Sequence, residues 1–134
     1  MPQGVAMSAE QWAKVGEFVR AGGKKDDRPL VDPGAFAALF EGSRVNPAYG
    51  LTWWLPHATP ANDPVTASTD ITDPDATLPK DMVVAAGAGD QRLYVIPSRG
   101  LTIVRQARLD RSALLAGKKG EWSDRHFLSL ILAQ

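Results

Sequence analysis

The chain has 134 residues, 44% hydrophobic and 22% charged, which by count is enough for one globular domain and too little for two. Lys plus Arg and Asp plus Glu are 15 each, and this balance argues against a partner made of phosphate backbone or anionic lipid. There is no cysteine, so disulfides, thiolate metal sites and cysteine nucleophiles are excluded together. No apolar run approaches a membrane span, and MPQGVAMSAEQW lacks the basic and apolar regions of a secretory signal. It reads as unexported, and as cytoplasmic if Met1 is the true start.

Ser8 and Gln11 have the spacing of a capping box, and Trp12, Val15, Phe18 and Val19 then share one helical face. This predicts a helix over about 8–21, stopped by Gly22-Gly23, with KKDDRP beyond it as a solvated loop. Asp32-Pro33 opens a second, short helix over about 33–41, with Phe36, Leu39 and Phe40 as its apolar stripe. The aromatic run 49–55, between Pro47 and Pro56, suits a strand. Residues 56–81 carry five prolines and five aspartates and read as a long loop whose carboxylates keep it solvated. The pattern does not match a calcium loop, and no metal or cofactor is expected.

Met82–Ala86 and Leu93–Ile96 are apolar on both faces, and Pro97-Ser98-Arg99-Gly100 turns the chain into Leu101–Arg105. These are expected to be buried hairpin strands. A polar linker over about 109–120 leads to a closing helix capped by Ser123, with Phe127, Leu128, Ile131 and Leu132 in a stripe. The order predicts an α+β fold, an antiparallel sheet flanked by helices. Gly87-Ala88-Gly89 superficially suggests a dinucleotide fingerprint, but its third glycine position is Arg92, and a strand, not a helix, follows. The glycines are read instead as a kink or bulge where a strand resumes.

The segments GVAMSAEQWAKVGEFVRAGG, RPLVDPGAFAALF, NPAYGLTWWL and AAGAGDQRLYVIPSRGLTIVRQ, followed by the closing helix, stand in a recognisable order. The chain resembles the C-terminal part of the β-lactamase-related serine hydrolases. That superfamily includes class C β-lactamases, D-alanyl-D-alanine peptidases, related esterases and 6-aminohexanoate-dimer hydrolases. The resemblance spans most of residues 1–134 as one segment, and 56–81 is its least alignable stretch. It rests chiefly on Tyr-Gly-x-x-Trp-Trp at 49–54 and Gly-x-Gly-x-Gln…Tyr-Val-Ile-Pro…Val-x-Arg at 87–105. It implies a β-lactamase/transpeptidase-like fold and a serine that attacks a small amide or ester to form an acyl-enzyme.

The family's Ser-x-x-Lys is absent: no serine of the chain has lysine three residues on. Tyr-x-Asn is absent too, since Leu51 and Ile96 stand two residues after Tyr49 and Tyr94. The isolated chain is therefore expected to be inactive. The family's third motif falls on Ala85, Ala86 and Gly87, of which only the glycine is kept. The resemblance makes the backbone N–H of Ala88 an oxyanion-hole donor. Asp90 stands where the family has glycine and would repel an oxyanion if its carboxylate turned inward.

Tyr49, Trp53, Trp54, Asp90, Gln91 and Arg92 are the substrate-pocket candidates, although aromatic residues in such a strand, as at 49, 53 and 54, are more often core packing. His57 and His126 read as loop and helix-start residues. The alternative to a hydrolase segment is a non-catalytic assembly module that self-associates, or pairs with another chain, through an exposed sheet edge.

Overall fold

A computed structural model of the chain describes residues 5–56, 70–71, 77–108, 110–117 and 122–133. Helix α1 runs Ala9–Arg20 and begins with the expected reciprocal cap. Ser8 Oγ accepts from the Gln11 amide at 3.2 Å, while Gln11 Oε1 accepts from the Ser8 amide at 2.9 Å. Two of the helix's orphan N-terminal donors are thus satisfied. Gly22 and Gly23, at φ 67° and 74°, end it in the left-handed region.

The KKDDRP stretch is not a simple loop. Lys24–Lys25 (β1) and Arg28–Pro29 (β2) form an antiparallel hairpin with Asp26 and Asp27 at its tip, at φ 49° and 61°. Two successive positive φ values give the tip the twist a tight hairpin needs, and aspartate adopts them more readily than most residues. Helix α2 spans Pro33–Ala38, capped by Asp32, whose Oδ1 accepts from the Ala35 amide at 2.8 Å. It ends before the expected 41, because the amides of Leu39 and Phe40 donate to carbonyls only three residues back.

The aromatic run 49–55 does not form a regular strand. The chain reverses over Gly50–Trp53, where the Gly50 amide donates to the Trp53 carbonyl and Thr52 sits at φ 75°. Only Trp54 joins the sheet, exchanging backbone hydrogen bonds of 2.7 and 3.0 Å with Val84. Gly50 permits the reversal, since a Cβ there would stand 2.3 Å from the Leu39 carbonyl oxygen.

Three strands form the main sheet: β3 (Val83–Gly87), β4 (Gln91–Ile96) and β5 (Leu101–Arg105), antiparallel in that spatial order. The first two are shifted from the expected 82–86 and 93–96, while the third has the expected bounds. All of β5 is half-buried, not buried. Residues 88–90 turn β3 into β4, so the glycine stretch makes a hairpin turn and not a bulge. Pro97–Arg99 forms a 3-10 turn before β5, and Gly100 leaves it at φ 62°. Asp81 braces that turn, accepting from the Ser98 amide at 2.5 Å and its hydroxyl at 2.7 Å.

The register puts Ala85, Leu93 and Val104 in one cross-strand row and Val83, Val95 and Thr102 in the next on the same face. This face packs against α1 and α2. Its core holds Val19, Trp53, Leu55, Val83, Leu93 and Val95, with Trp12, Phe36 and Phe40 against it. Val84, Tyr94 and Ile103 alternate onto the opposite face, where Ile71, Met82, Ile96 and Leu128 complete a second core. Leu128 belongs to helix α4, Asp124–Leu132, capped as expected by Ser123. A short helix α3, Arg111–Leu115, occupies part of the stretch read as linker. The chain is α+β, with an antiparallel sheet between helices on its two faces. Most of the expected loop over 56–81 lies outside the described residues.

Candidate functional site

Gly87 and Gln91 pair as the last rungs of β3 and β4, and Ala88, Gly89 and Asp90 close the turn between them. Gly89 and Asp90 both lie in the left-handed region, at φ 70° and 59°. Ala88 is exposed at the start of the turn. A cleft of about 430 Å³ opens between the N-terminal end of α1 and the hairpin end of the sheet, and the turn meets it at Gly87 and Gln91, not at Ala88 itself. Ala85, Ala86 and Gly87 line it, together with Met7, Trp12, Leu93 and Val104. Gln91, Arg92, Arg105 and Gln106 are its polar members, and Ala85 brings no polar head to it.

The candidates at 90–92 are occupied by the protein itself. Gln91 Nε2 donates to the carbonyls of Gly89, at 3.0 Å, and Ala107, at 2.7 Å, while its Oε1 accepts from the Ala107 amide at 3.0 Å. Gln91 borders the cleft, but both N–H groups of its side-chain amide are used in clamping the chain after β5 to the turn. Arg92 is 6% exposed. Its Nε and Nη2 donate to the two carboxylate oxygens of Asp124 at 2.8 and 3.1 Å. Nη1 donates to the carbonyls of Gln91, at 3.0 Å, and Gly87, at 3.4 Å. The guanidinium expected at the strand mouth for substrate is thus turned inward and saturated.

The Asp90 carboxylate lies 3.5 Å from Arg92 Nη2. It thus faces the buried guanidinium across the turn. The Asp90 carbonyl accepts from Arg105, and the Arg105 guanidinium lies 4.0 Å over the Trp122 ring. Asp124 is the centre of the cluster, 1% exposed at the first turn of α4. Besides Arg92 it accepts from the Tyr94 hydroxyl at 2.5 Å and from Trp122 Nε1 at 3.2 Å. Its own amide donates to Asp70 at 2.7 Å.

Burial alone would raise the Asp124 pKa, but hydrogen bonds from Arg92 and Tyr94 and the arginine's charge outweigh it and hold the carboxyl below its ordinary value. Burial works against the charged form of Arg92 as well, yet Asp124 keeps its pKa raised. For Tyr94, burial and the neighbouring Asp124 act together and push the phenol up. The cluster is therefore a fixed ion pair with a neutral phenol.

The aromatic candidates lie elsewhere. Trp53 is buried in the core beneath α2, 5.8 Å from the Phe40 ring. Tyr49 and Trp54 pack edge to face at 4.8 Å, and Trp54 borders the second core. None of the three lines the cleft. His57, Asp63, Asp73 and Asp75 fall outside the described residues, and His126 is exposed on α4. The Ser8 and Ser123 hydroxyls cap helices, Ser98 is held by Asp81, and Ser129 donates to the His126 carbonyl. Among the described residues no group of three or more His, Asp or Glu is placed to hold a metal ion, and no helix is long and apolar enough to cross a membrane.

No local pattern links Arg92 to Asp124, which are 32 residues apart. The one signal in the sequence is that Arg92 stands beside the apolar run LYVI and requires an anionic partner if buried. Comparisons with protein-family models, with curated proteins and with solved structures return no match.

Proposed function

We propose that this chain is the sheet-bearing C-terminal part of a β-lactamase-related serine hydrolase that cleaves small amides or esters through an acyl-enzyme. In this reading the 87–90 turn contributes one oxyanion donor, the Ala88 amide. The observation that carries it is a braced, exposed hairpin turn whose two ends, Gly87 and Gln91, line a cleft, at the sequence position where the resemblance calls for that donor. A main-chain donor does not depend on its side chain, so alanine is adequate at 88. The nucleophile and its base come from outside this chain, because no Ser-x-x-Lys or Tyr-x-Asn occurs in it.

Two measurements test the proposal. A serine-directed fluorophosphonate is expected to leave the isolated chain unlabelled, and stoichiometric labelling of one serine would overturn the expected inactivity. The DNA upstream of the Met1 codon, or a neighbouring reading frame, is expected to encode Ser-x-x-Lys and Tyr-x-Asn. Their absence there would remove the hydrolase reading.

A second reading is favoured by one observation: among the described residues no strand pairs with the outer edge of β5. Unpaired edges recruit other strands, so an assembly module would self-associate or pair with another chain through Leu101–Arg105. Sedimentation that shows a monomer at high concentration would count against self-association.

A further inference from the structure

We infer that Arg92, anchored by Asp124, is a positioning residue that fixes the shape of the 87–91 turn and hence the placement of the Ala88 and Gly89 amides. The catalytic meaning of that placement rests on the hydrolase reading. The bracing itself rests on geometry alone.

The turn is supported from outside itself. Asp90 at φ 59° follows Gly89 at φ 70°, a left-handed conformation that costs a residue with a Cβ, although aspartate less than most. Side chains from β4 and β5 supply the support. Arg92 Nη1 holds the carbonyls at both ends of the turn, Gly87 at 3.4 Å and Gln91 at 3.0 Å. Gln91 holds the Gly89 carbonyl at 3.0 Å, and Arg105 holds that of Asp90. The Asp90 carboxylate faces Arg92 at 3.5 Å.

Both arginines are seated on the start of α4. Arg92 gives Nε and one Nη2 hydrogen to Asp124. Arg105 lies over Trp122, whose Nε1 donates to the same carboxylate. A buried guanidinium must satisfy all of its N–H donors, and those not given to Asp124 are spent on the turn. That side, turned to the Gly87 and Gln91 carbonyls, is what a brace requires and a lysine cannot reproduce. One ammonium is a compact point donor and lacks the rigid fork that spans Asp124 and the turn together.

The test is ¹⁵N relaxation on the whole chain, comparing wild type with Arg92→Lys, Asp124→Asn and Arg105→Lys. In wild type, amides 88–90 are expected to be as ordered as those of β4, with order parameters of about 0.85. In Arg92→Lys and Asp124→Asn they should fall below about 0.6 while residues 93–95 stay unchanged. Arg105→Lys, which leaves the buried pair intact, should give a smaller loss confined to the same amides.

A wild-type turn already below about 0.6 would overturn the proposal even if no variant folds. Unchanged turn order in a folded Arg92→Lys, no response to Arg105→Lys, or loss spread evenly over β4 would overturn it too. None of these measurements requires acyl transfer. A turn that responds, with no nucleophile motif upstream, keeps the brace and removes the hydrolase; a complete hydrolase with an indifferent turn does the reverse.

Discussion

The two faces of the sheet hold their helices by different physics. Beneath α1 and α2 the contacts are apolar: Val19, Trp53, Leu55, Val83, Leu93 and Val95, with Phe36 stacked edge to face on Phe18 and Phe40. Hydrophobic burial is strong but non-directional, so α1 is located by shape, through the close approach at Gly16. The α4 face has an apolar core as well, around Leu128 and Tyr94. There, however, the helix start is also fixed by directional bonds from Asp124 to Arg92, Tyr94 and Asp70. Position on one side comes from steric fit and on the other from hydrogen-bond geometry, and the turn at the cleft is attached to the second kind.

The sharpest way to break this contrast is Asp124→Ala. It strands a buried guanidinium, and removing one partner of a buried pair costs about 3–5 kcal/mol. Urea unfolding should register that loss, whereas Arg92→Met with Asp124→Leu should recover much of it, because apolar replacement removes the unpaired charge. A loss of only a few tenths for Asp124→Ala would mean that α4 is held by its apolar stripe alone. The pH dependence has a definite sign. The folded Asp124 carboxyl titrates below its ordinary value, so its stabilisation is fully present above the unfolded pKa of about 3.9 and is lost as pH falls through the lower, folded value. The gap between wild type and Asp124→Ala should therefore narrow in acid.

On the other face the informative change is Gly16→Ala. At an open helical site this substitution stabilises by about 1 kcal/mol. Here the new Cβ would stand 2.4 Å from Thr102 Cγ2 and 2.8 Å from Leu93 Cδ1, and overpacking of that kind costs about 1–3 kcal/mol. Net destabilisation is expected. Adding Thr102→Ser deletes the closest atom and should restore part of the loss. If Gly16→Ala stabilises the chain instead, α1 is free to shift and the shape-based account of this face fails.

What was legible in the sequence was what is local. The Ser8–Gln11 cap and the Asp32-Pro33 helix start act over three residues and appear as read. The apolar run at 93–96 marks β4, because burial of a central strand leaves a continuous hydrophobic stretch. The run 49–55 has the composition of a strand without forming one: its aromatic residues report burial of Trp53 and the Tyr49–Trp54 contact, which need no ladder. The Asp26-Asp27 hairpin carries no strong sequence signal, because the usual two-residue turn at positive φ includes glycine. At the candidate site, Ala85, Ala86, Gly87, Gln91 and Arg92 all line one cleft, and the Gln91 and Arg92 side chains are also bonded to the chain around them. Pairings such as Arg92 with Asp124 depend on how α4 docks, which no local pattern encodes.

The smallest expected effects concern the two helix caps, and they test the same contrast. Both serines accept from a backbone amide three residues on, Ser8 at 3.2 Å and Ser123 at 3.1 Å. On capping alone, Ser8→Ala and Ser123→Ala would cost alike, about 1 kcal/mol each. Their surroundings differ. Ser8 also gives its amide to Gln11 in an exposed reciprocal box, whereas the residue after Ser123 is tied down three times over, by Asp70 at its amide and by Arg92 and Tyr94 at its side chain. A helix start that is already fixed frays less when its cap is removed, so Ser123→Ala should cost about half as much as Ser8→Ala within the usual range for caps. Thermal unfolding of the two single variants decides it. Equal losses, or a larger one at Ser123, would show that the Asp124 cluster braces the turn without securing the helix that carries it.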